Sequence, residues 1–325
     1  MSAGASGFDL VTVGRIGVDL YPREAGRPLA GVETFARSLG GSPTNVAVAA
    51  ARLGLNTAVV TKVGADPFGE YARGALRGFG VDDRWVGTDM ALRTPITFCA
   101  LHPPDDFPLL FYREPAAPDA MLTDADLPDE AVLGAGILWS SGGGLAAEPV
   151  RSATLAALRR RRDADPGAIS IHDLDHRSSF WAERDDPGRW AREASSCATV
   201  VVGNLDEVEM AVGCRDPRRA AQLIRDLGAD TAIVKRGGEG VYASGPFGEL
   251  DLAPVRLDVV NGLGAGDAFG GALSFGISAG FGMDRSLRAA NAAGALVASR
   301  LACADAMPSL GEVEHLLAAS GQEPA

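Results

Sequence analysis

The segment Gly262-Leu263-Gly264-Ala265-Gly266-Asp267 opens a run of small residues with helical character. Gly-Ala-Gly at a helix start presents backbone N–H groups unobstructed at the positive end of the dipole, an anion hole suited to a transferring phosphoryl group. A carboxylate at the same turn, Asp267, would be repelled by phosphate unless it is used, as a base accepting a hydroxyl proton beside the hole; N-terminal charge capping is the other reading. Upstream, Gly40-Gly41-Ser42-Pro43-Thr44-Asn45 precedes another helical run. Ser42 suits an N-cap and Pro43 a first helical residue. The two glycines would let a ligand approach the backbone, and Asn45 offers a donor and an acceptor from the first turn; an ordinary strand-to-helix turn has the same composition. Three charged clusters follow. Asp173-Leu174-Asp175-His176-Arg177 ends a strand, and continued alternation would put Asp173, Asp175 and Arg177 on one face, at a ligand crevice or simply at an exit to solvent. Arg113, in Tyr112-Arg113-Glu114, could bind a carboxylate or form a surface ion pair. Asn204-Leu205-Asp206-Glu207 could orient water or Mg²⁺ near phosphates, or merely cap a helix.

Competing signatures are missing. Neither of the two lysines, Lys62 and Lys235, follows a glycine, so there is no Walker A loop. A G-x-G-x-x-G starting at Gly262 or Gly264 would need glycine where Asp267 and Phe269 stand, which disfavours a dinucleotide oxidoreductase. No G-x-S-x-G elbow occurs. The 325 residues carry 30 Lys+Arg against 42 Asp+Glu, a net charge of −12. That cation deficit argues against nucleic acid and anionic membrane surfaces as partners, so any anionic substrate must be gripped by a few local arginines. Cys99, Cys197, Cys214 and Cys303 are far apart and the four histidines are unclustered, which predicts reduced thiols and no structural zinc. The start, MSAGASGFDL, lacks the basic and apolar regions of a secretion signal, and the stretch from Gly262 to Met283 is too rich in Gly and Ala to span a bilayer; both predict a cytoplasmic protein.

The elements that must position these residues follow from the hydrophobic pattern. Phe8–Gly14, Thr57–Val63, Gly136–Ser141, Ala168–Leu174, Ala198–Gly203 and Thr231–Lys235 read as buried strands. Helical stretches over Pro43–Gly54, Pro67–Phe79, Glu148–Arg162, Asn204–Val212 and Pro217–Leu227 separate them, an alternation that predicts βαβ units and a mostly parallel central sheet flanked by helices. After Lys235 come short strands at Gly240–Ala243 and Glu249–Leu252, then two small-residue helices between Gly264 and Leu301. Two segments, approximately 15–40 and 93–115, break the alternation. The second reads as two strands around a loop at His102–Pro108, which predicts a small β-sheet lid inserted in a single α/β domain spanning 1–325. Its exposed edge invites pairing with a second copy, a homodimer through the lid sheet.

The order of these motifs, with Lys235-x-Gly237-x-x-Gly240 between the last two, resembles the ribokinase-like (PfkB) carbohydrate kinase family from about Phe8 to Leu317. Within the family it is most similar to members acting on a sugar acid of inositol catabolism, on the evidence of Phe111-Tyr-Arg-Glu-Pro, of Asp173-Leu-Asp-His-Arg followed by Phe180-Trp181, and of the tail from Arg300 to Pro308. The resemblance implies ATP- and Mg²⁺-dependent phosphorylation of a terminal hydroxyl of 5-dehydro-2-deoxy-D-gluconate, with 2-dehydro-3-deoxygluconate or fructose as alternative acceptors. It makes Asp267 the general base and the amides of Gly264, Ala265 and Gly266 the anion hole. By the same resemblance Asp19, Gly41 and Asn45 hold sugar hydroxyls, and Arg113 and Arg177 grip the substrate carboxylate. Asn204 and Glu207 serve the Mg²⁺-phosphate side, Glu207 through water, while Lys235, Gly237, Gly240 and Asn291 lie along the nucleotide. Where many members carry Asp-Thr-Thr, this chain has Asn261-Gly262-Leu263, which removes a carboxylate that helps relatives bind an activating monovalent cation. A catalytically silent sensor of sugar or nucleotide is the reading from a different class; the intact Asp267 and its glycines argue against it.

Overall fold

Runs of β-branched residues form parallel strands wherever a helix signal follows them. The computed structural model describes residues 7–24, 26–102 and 106–320; the first six residues, on which the reading of the N-terminus rests, and part of the predicted loop after His102 lie outside these. The described residues fall into two compact units. One comprises the segment ending at Gly14 together with Ala120–Pro254, the other Arg15–Asp119 with the segment from Val255 onward.

In the first unit the strands lie in the order Gly248–Leu252, Val241–Gly245, Thr231–Lys235, Val200–Asn204, Ile169–Asp173, Ile137–Ser141, Leu10–Val13. The two pairings at the Gly248 end are antiparallel and the others parallel. Helices Val150–Ala164, Pro187–Ser195, Leu205–Val212 and Pro217–Asp226 accompany them. Val208, Ala211, Ala220, Ala221 and Ile224 of the last two share one buried cluster with Val201, Ala232 and Val234 of the sheet. Asp186 and Asp216 each accept a backbone N–H three residues on and so fix the starts of their helices just before a proline.

The second unit contains the strand Thr57–Gly64, with Val81–Asp82 and Val86–Asp89 parallel to it. Its helices are Ser42–Arg52, Pro67–Gly78, Ala265–Ser278, Met283–Ala298 and Leu310–Ala319. The predicted lid is a separate four-stranded sheet, ordered Phe35–Gly40, Gly17–Pro22, Ile96–Cys99, Leu109–Tyr112. It is two antiparallel hairpins joined by a parallel pairing of Gly17–Pro22 with Ile96–Cys99, a mixed sheet that the sequence pattern does not foretell. All four cysteines are free thiols. Among the described residues no helix is long and apolar enough to cross a membrane.

Candidate active site

The second unit holds the candidate base and the candidate anion hole. Helix Ala265–Ser278 starts from Gly264, in the left-handed region at φ +80°, and no side chain caps it. Its first-turn amides have no intrahelical acceptor, so they are available to an anion at the positive pole. Asp267 stands in that turn, half-buried, and its Oδ2 accepts a 2.8 Å hydrogen bond from Asn45 Nδ2. The contact follows from helix packing one turn further along both helices. A Cβ on Gly271 would lie 2.4 Å from Ala49 Cβ and 3.0 Å from the Val46 carbonyl oxygen, so only glycine there lets the helices approach closely enough for Asn45 to reach Asp267. Asn45 is itself buried, and its Oδ1 accepts no hydrogen bond from the described residues. A buried acceptor without a donor is costly unless a ligand hydroxyl satisfies it.

The pair Gly40-Gly41 also has reasons within the chain itself. A Cβ on Gly40 would fall 2.1 Å from Asp19 Oδ1, so Gly40 leaves room for a carboxylate of the chain itself. Gly41, at φ +102°, passes against the Arg15 carbonyl and serves as the N-cap, which shifts the helix start by one residue: Ser42 rather than Pro43 is the first helical position. Asp19 sits mid-strand in the lid. Desolvation, opposed by Arg15 and reinforced by the Asp267 charge, raises its carboxyl from 3.8 to about 7.

Arg113 is spoken for within the protein. It makes a two-pronged ion pair with Asp119, a fully buried carboxylate that also accepts the Ile16 N–H at 2.9 Å. Sequence reasoning offered no partner for this arginine; the signal, an aspartate six residues on, is too common to be read. Asn261 is also wholly buried, its amide donating to the Leu301 carbonyl at 2.7 Å and its Oδ1 accepting the Leu263 N–H at 3.0 Å. Here it shapes the loop that leads to Gly264. Asn291 lies half-buried on Met283–Ala298, the helix whose Gly294 approaches the Ala265 carbonyl.

The first unit collects the remaining charged candidates. Asp173, Asn204 and Lys235 are the last residues of three neighbouring parallel strands, where ligands bind in open α/β sheets. Lys235 Nζ lies 3.2 Å and 3.4 Å from the two oxygens of buried Asp173. Burial works to lower the lysine, but the Asp173 and Glu207 carboxylates outweigh it and hold the ammonium charged. Asn204 and Glu207 form a reciprocal capping box, and Glu207 also accepts the His176 N–H. Burial lifts the Glu207 carboxyl to about 7 against the pull of Lys235. Gly237 and Gly240, both at positive φ, make the tight turn after Lys235; a Cβ on Gly240 would meet the Leu252 carbonyl at 2.0 Å.

One expectation about this cluster is corrected. The strand stops at Asp173 and Asp175 turns to φ +22°, the only non-glycine residue at positive φ among those described. Asp175 and Arg177 therefore meet through a turn, at 3.0 Å, and not by strand alternation. Strain of this kind collects at functional sites.

The chain belongs to the pfkB family of carbohydrate kinases, whose model matches residues 8–310. It is a carbohydrate kinase with the ribokinase-like fold. It is 32% identical over 316 residues to a 5-dehydro-2-deoxygluconokinase of Listeria monocytogenes serotype 4a (strain HCC23), covering 96% of each chain. Among solved structures it is similar to a fructokinase with bound ATP from Xylella fastidiosa, with a TM-score of 0.84, 25% identity, and coverage of 99% of this chain and 100% of that one. A putative ribokinase II from E. coli, in its apo form, superposes with a TM-score of 0.88 at 22% identity, over 96% of this chain and 99% of that one.

Proposed function

We propose that this kinase transfers the γ-phosphoryl group of ATP to the terminal hydroxyl of a sugar acid, 5-dehydro-2-deoxy-D-gluconate, as a single domain in the cytoplasm. The observation that carries the reading is the Asp267 carboxylate, held by Asn45 at a helix start that glycine keeps clear. Asp267 takes the hydroxyl proton as the sugar oxygen bonds to the γ-phosphorus and the bond to the leaving ADP oxygen breaks. The amides of Gly264, Ala265 and Gly266 stabilise the charge on the transferring group, where one such donor is typically worth about 3 kcal/mol. Asp19 and the unsatisfied Asn45 Oδ1 accept sugar hydroxyls, and the Gly41 backbone lies beside them in this assignment. Lys235, Gly237, Gly240, Asn204 and Asn291 serve the nucleotide.

Mg²⁺ fits the first unit's donor set through water. The carboxylates of Asp173, Asp175 and Glu207 outnumber the cations beside them, yet no group of three ligating side chains is poised to hold a bare ion among the described residues. Mg²⁺ keeps much of its hydration in such sites and supplies charge neutralisation at the phosphates. With Asn261 tied into its own loop, no monovalent cation is assigned. Leu110 and Tyr112, 49% and 59% exposed on the lid's edge strand, favour pairing with a second copy through that sheet.

The acid specificity is assigned to Arg113 and Arg177. Arg113 already spends a fork on Asp119, so Arg177, with 41% of its side chain exposed, is the one to change. A charge-assisted bidentate contact is worth roughly 2–3 kcal/mol, so Arg177→Ala is expected to lower kcat/KM for the sugar acid about 30- to 160-fold. Turnover of a neutral ketohexose, measured by the same coupled ADP release, should fall by less than about threefold. Equal losses on acid and neutral acceptors would remove the carboxylate role.

A further inference from the structure

Asp19 and Tyr21 are alternate residues of the lid strand Gly17–Pro22 and so project from the same face. On that face the Asp19 carboxyl has two hydroxyls for neighbours, that of Tyr21 and that of Thr97, its register partner on the adjoining strand, and both work to lower its titration. Tyr21 Oη also donates to Cys303 Sγ at 2.8 Å, across 282 residues of chain. Cys303 in turn fills the space that Gly264 leaves empty: a Cβ on Gly264 would lie 2.7 Å from its Sγ. Tyr21 and Cys303 are both 4% exposed, in an apolar cluster with Cys99 and Leu101 against which Leu109 and Leu263 pack.

We propose that Tyr21 and Cys303 are positioning residues, linking the sugar-holding carboxylate of Asp19 to the glycine that opens the anion hole. The proposal rests on the kinase reading above and adds residues that no motif marks. A phenol has one proton, which either satisfies Asp19 or points to the sulfur; when it turns to Asp19, the Cys303 thiol can donate to Tyr21 Oη instead. In the dry cluster the Tyr21–Cys303 hydrogen bond does not compete with water, and losing Tyr21 removes the contact that joins the Asp19 strand to the sulfur beside Gly264. A sugar hydroxyl donating to Asp19 shifts the phenol proton toward the sulfur that abuts Gly264. Engagement of the sugar is thereby sensed at the turn that receives the phosphoryl group.

The titratable and charged groups facing Asp19 are Arg15, Tyr21, Tyr71, Cys99 and Asp267. Tyr21 helps keep the Asp19 carboxyl from rising further, so Tyr21→Phe moves it up. Only the ionised form accepts two sugar hydroxyls, so kcat/KM for the sugar rises with pH through the Asp19 titration, and the variant needs a higher pH to reach the same level.

The test is a double-mutant cycle on Tyr21→Phe and Cys303→Ala, with Cys303→Ser as the conservative variant, read as kcat/KM for the sugar acid between pH 5.5 and 9. Each single change is expected to cost about tenfold and the double about the same as the worse single, because members of one linked unit are not additive. Cys303→Ser should recover most of the loss, and the Tyr21→Phe profile should move up by about half a pH unit or more. Losses that multiply, with an unshifted profile, would reduce both residues to packing and overturn the link. If the wild-type protein phosphorylates no sugar at all, the kinase reading fails separately. The link is then decided by the ¹³C carboxyl titration of Asp19: a higher midpoint in Tyr21→Phe supports it, and superimposable curves discard it.

Discussion

Asp267→Asn is expected to lower kcat about a thousandfold while the Kd for ATP stays within about threefold. The substitution is nearly isosteric and keeps an oxygen for Asn45 Nδ2 to donate to, so the Gly271-mediated packing of the two helices is undisturbed. What disappears is the only group in that turn able to take the hydroxyl proton. The uncapped amides remain, and these account for the residual rate and for continued phosphate binding. Stopped-flow or coupled ADP release gives kcat, and calorimetry gives the ATP affinity. A variant that turns over within about tenfold of wild type would remove the base assignment.

Lys235→Met is expected to show the largest loss of stability. Lys235 is the ion-pair partner of buried Asp173, and its charge also draws on the buried Glu207 carboxylate. Removing one member of a buried ion pair typically costs about 3–5 kcal/mol, because the remaining charge stays desolvated and unpaired. The sign of its pH dependence is fixed. In the native protein the Glu207 carboxyl already stands near 7, above its ordinary 4.5, so stability that is present at low pH is lost as pH rises from 4.5 through 7. Without the lysine both carboxyls rise further, and the penalty is present above their unfolded values and relieved as they protonate. The thermal midpoint should therefore fall by roughly 5 °C or more at pH 8 and by markedly less at pH 5.5. Equal falls at both values, or none, would show that the carboxylates do not depend on Lys235.

Much of this arrangement is legible in the chain. Alternation of β-branched runs with helical stretches places six parallel strands to within a residue or two but misses the short Val81–Asp82 and Val86–Asp89; the strand Thr231–Lys235 coincides with its predicted bounds. The glycines around Gly264 and the carboxylate of Asp267 are local signals, since backbone access and charge at a helix start depend on neighbours in sequence. Helix Pro187–Ser195 carries the same Asp-Pro start as Pro217–Asp226 and was readable, although the charged run around it hides the pattern. Gly40 could not be read correctly, because the group it makes room for, Asp19, comes from another strand of the lid. Asp173, Asp175 and Arg177 could not either, because alternation ends where the strand does. The contacts that tie the site together, Asn45 to Asp267 and Tyr21 to Cys303, join residues more than 200 positions apart. No local pattern encodes such distances. They follow from packing, and packing is what the fold adds.

Sugar-acid kinase activity is decided by coupled ADP release from the purified protein with ATP and Mg²⁺. The acceptors are 5-dehydro-2-deoxygluconate, 2-dehydro-3-deoxygluconate, fructose and ribose, offered in parallel. The highest kcat/KM is expected on 5-dehydro-2-deoxygluconate, by about tenfold or more over the neutral sugars, since one charge-assisted contact exceeds about 1.4 kcal/mol. Preference for fructose or ribose over both acids, or no ADP release above the acceptor-free rate, would contradict it.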